Sequence, residues 1–161
     1  MIITSTEFKN NDFLRKEHEF NEFGANGGNR SPELAWTNVP AGTKSFAITV
    51  YDPDAPTGSG FWHWVVFDIP REVQTLPADS GRSDGNKQPA GVIQSKNDYG
   101  AFGFGGPCPP EGDKAHRYIF TVHALSVEKL GIDSETTNAV ARFMIQANTL
   151  ATATITGYYQ R

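Results

Sequence analysis

The sequence predicts a mostly β protein with one main helix. Three observations carry this. Along Phe46–Tyr51, His63–Ile69, His116–His123 and Ala151–Tyr158 the side chains alternate in type with a period of two, as they do on strands with two distinct faces. Sixteen glycines and ten prolines in 161 residues, with 38% hydrophobic residues, fit a turn-rich folded chain and not a disordered one. A helical period appears only once: Val140, Phe143, Met144 and Ala147 stand at i, i+3, i+4 and i+7, which predicts a helix over Thr137–Thr149 with these residues on one face. The length suits a single domain spanning residues 1–161.

Taken in order, Ile2–Phe8 reads as an opening strand, with a turn at Asn10-Asn11-Asp12 and a second short strand at His18–Asn21. Gly24–Asn29 is a loop whose glycines are free to take positive φ; it lacks the lysine of a phosphate-binding loop. Ser31-Pro32 breaks any helix, Leu34 and Trp36 alternate on a strand, and Val39–Gly42 turns into the Phe46 strand. Asp52-Pro53-Asp54-Ala55-Pro56 cannot continue that strand, because each proline lacks the N–H a ladder needs. Thr57–Gly60 reverses the chain, and the Ala55–Pro56 bond is expected to be cis. In the next strand, His63, Val65, Phe67 and Ile69 share one face, with Trp64, Val66 and Asp68 on the other. Asp79–Lys114 is irregular, broken only by Val92-Ile93 and Tyr99–Phe104, and loops this long are usually functional. In the strand after it, His116, Tyr118, Phe120 and Val122 face one way, and Arg117, Ile119, Thr121 and His123 the other.

Two constellations stand out. Asp52 and Asp54 form an acidic lip at one strand end, and His63 opens the next strand. The stretch Pro107-Cys108-Pro109-Pro110-Glu111-Gly112 leads into His116 and Tyr118. Both histidines follow stiff, proline-bearing loops, and loops gathered at one end of a sheet often build a ligand site. Imidazolium, phenol and glycine-rich backbone offer donors to an anion. A carboxylate can hold an imidazole in its protonated form, and a spare one could meet an ammonium group, which suits a zwitterionic head group such as phosphoethanolamine. Arg117, on the opposite face from His116, is expected to pair with an acid or a carbonyl behind the pocket. His18 and His123 read as hydrogen-bonded core residues.

Asp-Pro-Asp-Ala-Pro followed by His63, Pro-Pro-x-Gly followed by His116-Arg117-Tyr118, and the shorter Ser31–Trp36 element together resemble the signature stretches of the phosphatidylethanolamine-binding proteins. The similarity is greatest to the short bacterial and archaeal branch called Raf kinase inhibitor-like. This resemblance implies two packed antiparallel sheets with one main helix. It also implies a non-catalytic pocket formed by Asp52, Asp54, His63, Pro109, His116 and Tyr118, without cofactor or metal. The ligand would be an anionic small molecule or phosphorylated head group, and the protein a modulator of a protein kinase or protease. Longer relatives continue into a C-terminal helix beside the pocket, whose absence here is expected to leave it more open. A homodimer is expected through apolar surface at Tyr158-Tyr159 or the 99–104 loop.

Other classes fit less well. A net charge of −4 and no run of basic residues argue against nucleic acid. No apolar run reaches the roughly 18 residues of a membrane span, so an integral membrane protein is not expected. The N-terminus lacks the pattern of a signal peptide, and the lone Cys108 fits a reducing compartment, which points to the cytoplasm. Two histidines and two aspartates could ligate zinc or iron, but their spacing is irregular. A small hydrolase using the same Asp–His pocket, with Ser59 or Tyr118 nearby, is the alternative function; no Gly-x-Ser-x-Gly elbow is present.

Overall fold

Pairing of the alternating segments gives eight strands and one α-helix in a computed structural model that describes residues 1–161. In chain order they are β1 Ile2–Thr4, β2 Leu34–Thr37, β3 Ser45–Asp52, β4 Phe61–Pro70, β5 Thr75–Leu76, β6 Ile93–Gln94, β7 His116–Leu125, α1 Asn138–Ala147 and β8 Thr149–Tyr159. Two antiparallel sheets result, one ordered β1-β2-β5 and the other β6-β4-β3-β7-β8. Between them Ile3, Leu34, Trp36 and Leu76 meet Phe46, Ile48, Val50, Trp64, Val66, Phe120 and Val122. On the far side of the larger sheet, Ala47, Val65, Phe67 and Leu125 pack with Ala141 and Ile145 of α1. β3 and β4 are therefore covered on both faces, so Ala47, Val65 and Phe67, on the side away from the inter-sheet core, are buried as well.

Local geometry departs from the sequence reading at several points. β1 ends at Thr4, although Phe8 is still buried, 5.3 Å from the Phe120 ring. Lys16–His18 is a short 3-10 helix and no strand follows it. The main chain there bonds to loops instead: Phe20 N–H donates to Pro107 O, and Gly27 N–H to Phe20 O. Thr137 caps α1 through its side chain, as a residue of its type should. The helix is rotated from its expected face, with Ala141 and Ile145 buried, while Val140 and Phe143 are 50% and 72% exposed. Small Ala141 lets the helix approach the sheet, and the Arg142 guanidinium lies 3.9 Å from the Trp62 ring centre, which holds that rotation. Ala55–Pro56 is trans, like every other peptide bond; the turn closes through Gly58 and Gly60, both at positive φ. Tyr159 and Phe104 are buried, so these two side chains are not available as the apolar surface foreseen for a homodimer.

Strict alternation fails in β4 because the strand carries two bulges. Val50 pairs with Trp64 but Tyr51 pairs with Trp62, which leaves His63 as an extra residue. A second shift, between Phe46↔Ile69 and Ile48↔Val66, leaves an extra residue near Asp68, whose φ is 58°. Ile69 thereby joins Trp64 and Val66 in the core between the sheets, apart from Val65 and Phe67. No helix is long and apolar enough to cross a membrane.

Candidate ligand-binding site

The turn after β3 is fixed by its own polar groups. Asp52 Oδ1 accepts the Asp54 N–H at 2.8 Å, and the Tyr51 hydroxyl donates to Ser59 O at 3.0 Å. A side chain on Gly60 would run into that hydroxyl and the Asp52 carbonyl. Facing this turn is the loop at 105–110, which is stitched from several sides. Gly106 N–H donates to Asn29 Oδ1 at 2.7 Å, the Tyr99 hydroxyl donates to Gly106 O at 2.8 Å, and Arg161 Nε donates to Pro109 O at 2.8 Å. Gly106 must be glycine: a Cβ there would lie 2.0 Å from the His18 carbonyl oxygen. Gly106→Ala is therefore expected to destabilise the protein by at least about 1–3 kcal/mol, as overpacking against fixed backbone does; a thermal melt unchanged from wild type would contradict this contact.

Between turn and loop lies a cavity of about 330 Å³. Asp52, His63, Pro109, His116 and Tyr118 line it, together with Phe23, Phe61, Tyr99, Cys108 and Arg161. Asp54 does not line it. Its carboxylate is held outside by Arg117, at 3.0 Å from Nε and 2.8 Å from Nη2, and also takes the Arg117 N–H. These bonds to Arg117 lower its pKa. Trp62 faces away, stacked on Tyr51, and Ser59 does not reach the cavity wall.

The two histidines have opposite characters. His116 is held between two carboxylates, with Nδ1 2.7 Å from Asp52 Oδ2 and Nε2 3.0 Å from Asp113 Oδ2. Burial alone would lower its pKa, but the two acids outweigh it and raise it. Since both ring nitrogens face carboxylates, both donate, and the ring is an imidazolium. His63 is fully enclosed, and burial pushes its pKa down to about 4. Its Nδ1–H donates to Gly105 O at 2.7 Å, and Gly105 N–H donates back to His63 O at 2.9 Å. This ring is neutral near pH 7, with Nε2 left as an acceptor.

Tyr118 packs edge-on to His63, with ring centres 5.2 Å apart. Its hydroxyl is buried and makes no well-formed hydrogen bond, although the Asp52 carboxylate lies near it. Burial, reinforced by the nearby Asp52 charge, raises its pKa, so it stays a donor. Burial also raises the Cys108 pKa, which disfavours the thiolate.

Over residues 4–160 the sequence matches the family model for the phosphatidylethanolamine-binding protein. The chain belongs to the phosphatidylethanolamine-binding protein family. Among its relatives in this family, YbcL of Escherichia coli is 55% identical over 158 residues, covering 98% of this chain and 86% of YbcL. YbhB of the same organism is 46% identical over 159 residues, 99% of each chain. The crystal structure of YbcL, described as a new member of the mammalian family, superposes with a TM-score of 0.97 at 54% identity, over 99% of this chain and 98% of that one.

Both signature stretches of the phosphatidylethanolamine-binding family thus meet at one cavity here. Sequence reasoning missed Arg161, Asp113 and Tyr99. Arg161 arrives through the β7–β8 register, in which His116 pairs with Tyr159; only knowledge of that pairing could have found it. Asp113, three residues before His116, lay in plain view but was given no role.

Proposed function

We propose that the cavity binds a small phosphorylated group that offers both acceptor oxygens and one hydrogen, such as a phosphomonoester monoanion on a head group. The observation that carries this reading is the Tyr118 hydroxyl, a buried donor without a well-formed hydrogen bond. The one acceptor near it, Asp52, is already engaged by His116 and the Asp54 N–H. The same cavity also holds the neutral His63 and the Arg161 guanidinium. A phosphate oxygen would satisfy Tyr118 and Arg161, and a P–OH would donate to His63 Nε2. The ammonium end of phosphoethanolamine suits the acidic side of the site, where Asp52 and Asp113 flank His116. Carried on a protein, the same group is a phosphorylated side chain. The family resemblance supports extending the reading to a modulator of a protein kinase or protease.

Calorimetry with phosphoethanolamine and with sulfate tests this. Tyr118→Phe is expected to weaken phosphoethanolamine about tenfold, the worth of one lost hydrogen bond to a charged group, while leaving stability unchanged or slightly higher. Unchanged affinity in Tyr118→Phe would remove the main support for the reading. Sulfate keeps constant charge over pH 6–9, so its pH dependence reports the protein. His116 carries its positive charge fully below about pH 6.5 and loses it as pH rises through its raised pKa. With both N–H groups held by Asp52 and Asp113, His116 acts on the anion through its charge alone. Sulfate affinity should fall over that rise by about tenfold, and His116→Gln should flatten the curve. Ester turnover abolished in His63→Ala would favour a hydrolase instead.

A further inference from the structure

His18 is fully buried, and its Nδ1 lies 2.7 Å from the Arg30 carbonyl oxygen. A carbonyl only accepts, so Nδ1 carries a proton, and in the neutral ring Nε2 is then the lone pair open to a ligand. That Nε2 is buried and has no hydrogen-bond partner. An unmatched acceptor of this kind is rare in a folded protein and calls for an explanation. Two carboxylates gather at the same place: one ring nitrogen of His18 and one oxygen each of Glu7 and Glu17 lie within 4.8 Å of one another. With Nδ1 already engaged, Nε2 is the ring atom left for a ligand. Each carboxylate also keeps an oxygen in reserve, since Glu7 Oε2 takes the Glu33 N–H and Glu17 Oε1 faces Arg15.

We propose that Glu7, Glu17 and His18 bind one divalent first-row transition-metal ion, with zinc the best match. One imidazole and two carboxylates form a nitrogen–oxygen set that suits zinc better than calcium or magnesium, which prefer oxygen alone. Three protein donors leave a fourth position for water. Zinc bonds of about 2.0–2.2 Å place tetrahedral donors about 3.3–3.6 Å apart, so the ion would draw the cluster together. Glu17, whose side chain is 44% exposed, is free to make that movement. The Arg30 carbonyl fixes the tautomer and direction of His18, as outer partners do for metal-bound imidazoles.

This cluster is separate from the Asp52–His116 cavity, and it departs from the metal-free expectation drawn from the family. Its effect would still reach the cavity, because the His18 carbonyl packs directly on Gly106. An ion joining the segment after β1 to the 3-10 helix would stiffen the support behind the 105–110 loop.

The test is calorimetry of the full chain, stripped with chelator and titrated with zinc chloride, with magnesium chloride as the comparison. One zinc per chain is expected, with a higher melting temperature and no response to magnesium. Glu7→Gln and Glu17→Gln should each weaken zinc at least tenfold. Both keep a side-chain oxygen for their present partners, so both should fold. Cys108→Ser and His116→Gln should retain the site. The ¹⁵N resonance of His18 Nε2 should move on loading. Absence of saturable binding, binding that survives Glu7→Gln with Glu17→Gln, or loss of zinc in Cys108→Ser or His116→Gln would overturn the assignment.

Discussion

Replacing Trp64 with alanine is expected to lower stability by about 3–5 kcal/mol, the usual loss when a large aromatic is removed from a packed core. Trp64 is fully buried between the two sheets, with its ring 5.8 Å from that of Phe104. It also works as a hydrogen-bond anchor: Nε1–H donates to Gln94 Oε1 at 2.8 Å, and Gln94 Nε2 donates to Arg82 O at 2.8 Å. Alanine would leave a void and strip Gln94 of its best donor in the same step. Urea unfolding at pH 7 measures the loss, and Trp64→Phe separates the two contributions. Phenylalanine retains most of the ring and should cost only about 1–3 kcal/mol, chiefly the unsatisfied Gln94 oxygen. A loss below about 1 kcal/mol in Trp64→Ala would contradict the placement of this ring.

The second large effect is acid destabilisation above the range where carboxylates titrate. His63 and His123 are both held near pKa 4 by burial. Their ordinary value is 6.5, so between the two values the unfolded chain binds protons that the folded chain refuses. Stability must therefore fall as pH drops from about 6.5 to 4, by up to about 3 kcal/mol for each ring. His116 acts in the opposite direction: its contribution is full below about 6.5 and is lost as pH rises through its raised pKa. Unfolding free energies at pH 7 and pH 4.5 should differ by several kcal/mol, and His123→Gln should reduce the difference by up to half. His123 suits this substitution because its contacts to Thr49 and Thr149 are long, at 3.3 and 3.4 Å. Equal stability at the two pH values would mean that the rings are not buried in neutral form.

What the sequence disclosed depended on how regular each pairing is. β7 pairs residue for residue with β3, and with β8 until its last step, so counting by twos put His116 and Tyr118 on one face correctly. The same counting failed in β4, because neither His63 nor the 67–68 step carries the glycine that often betrays a bulge. Asp52 and Asp54 looked equivalent on either side of Pro53. Which one turns inward is decided by the Asp52 bond to the Asp54 N–H and by Arg117 reaching around from β7. The helix was legible as a helix, but its rotation rests on Arg142 meeting Trp62, a contact between residues 80 positions apart. Arg161 and Tyr99 join the site only through tertiary folding, which no local pattern encodes.

The extra residue at His63 also bears on how the cavity wall and the sheet are coupled. Its ring and its carbonyl are both tied to Gly105, so position 63 stands outside the alternation that commits its neighbours to one layer or the other. A new side chain there would change the lining of the cavity without re-sorting Trp62 and Trp64. Position 63 therefore answers to two demands at once: its ring lines the cavity, and its burial as a neutral group makes the fold sensitive to acid.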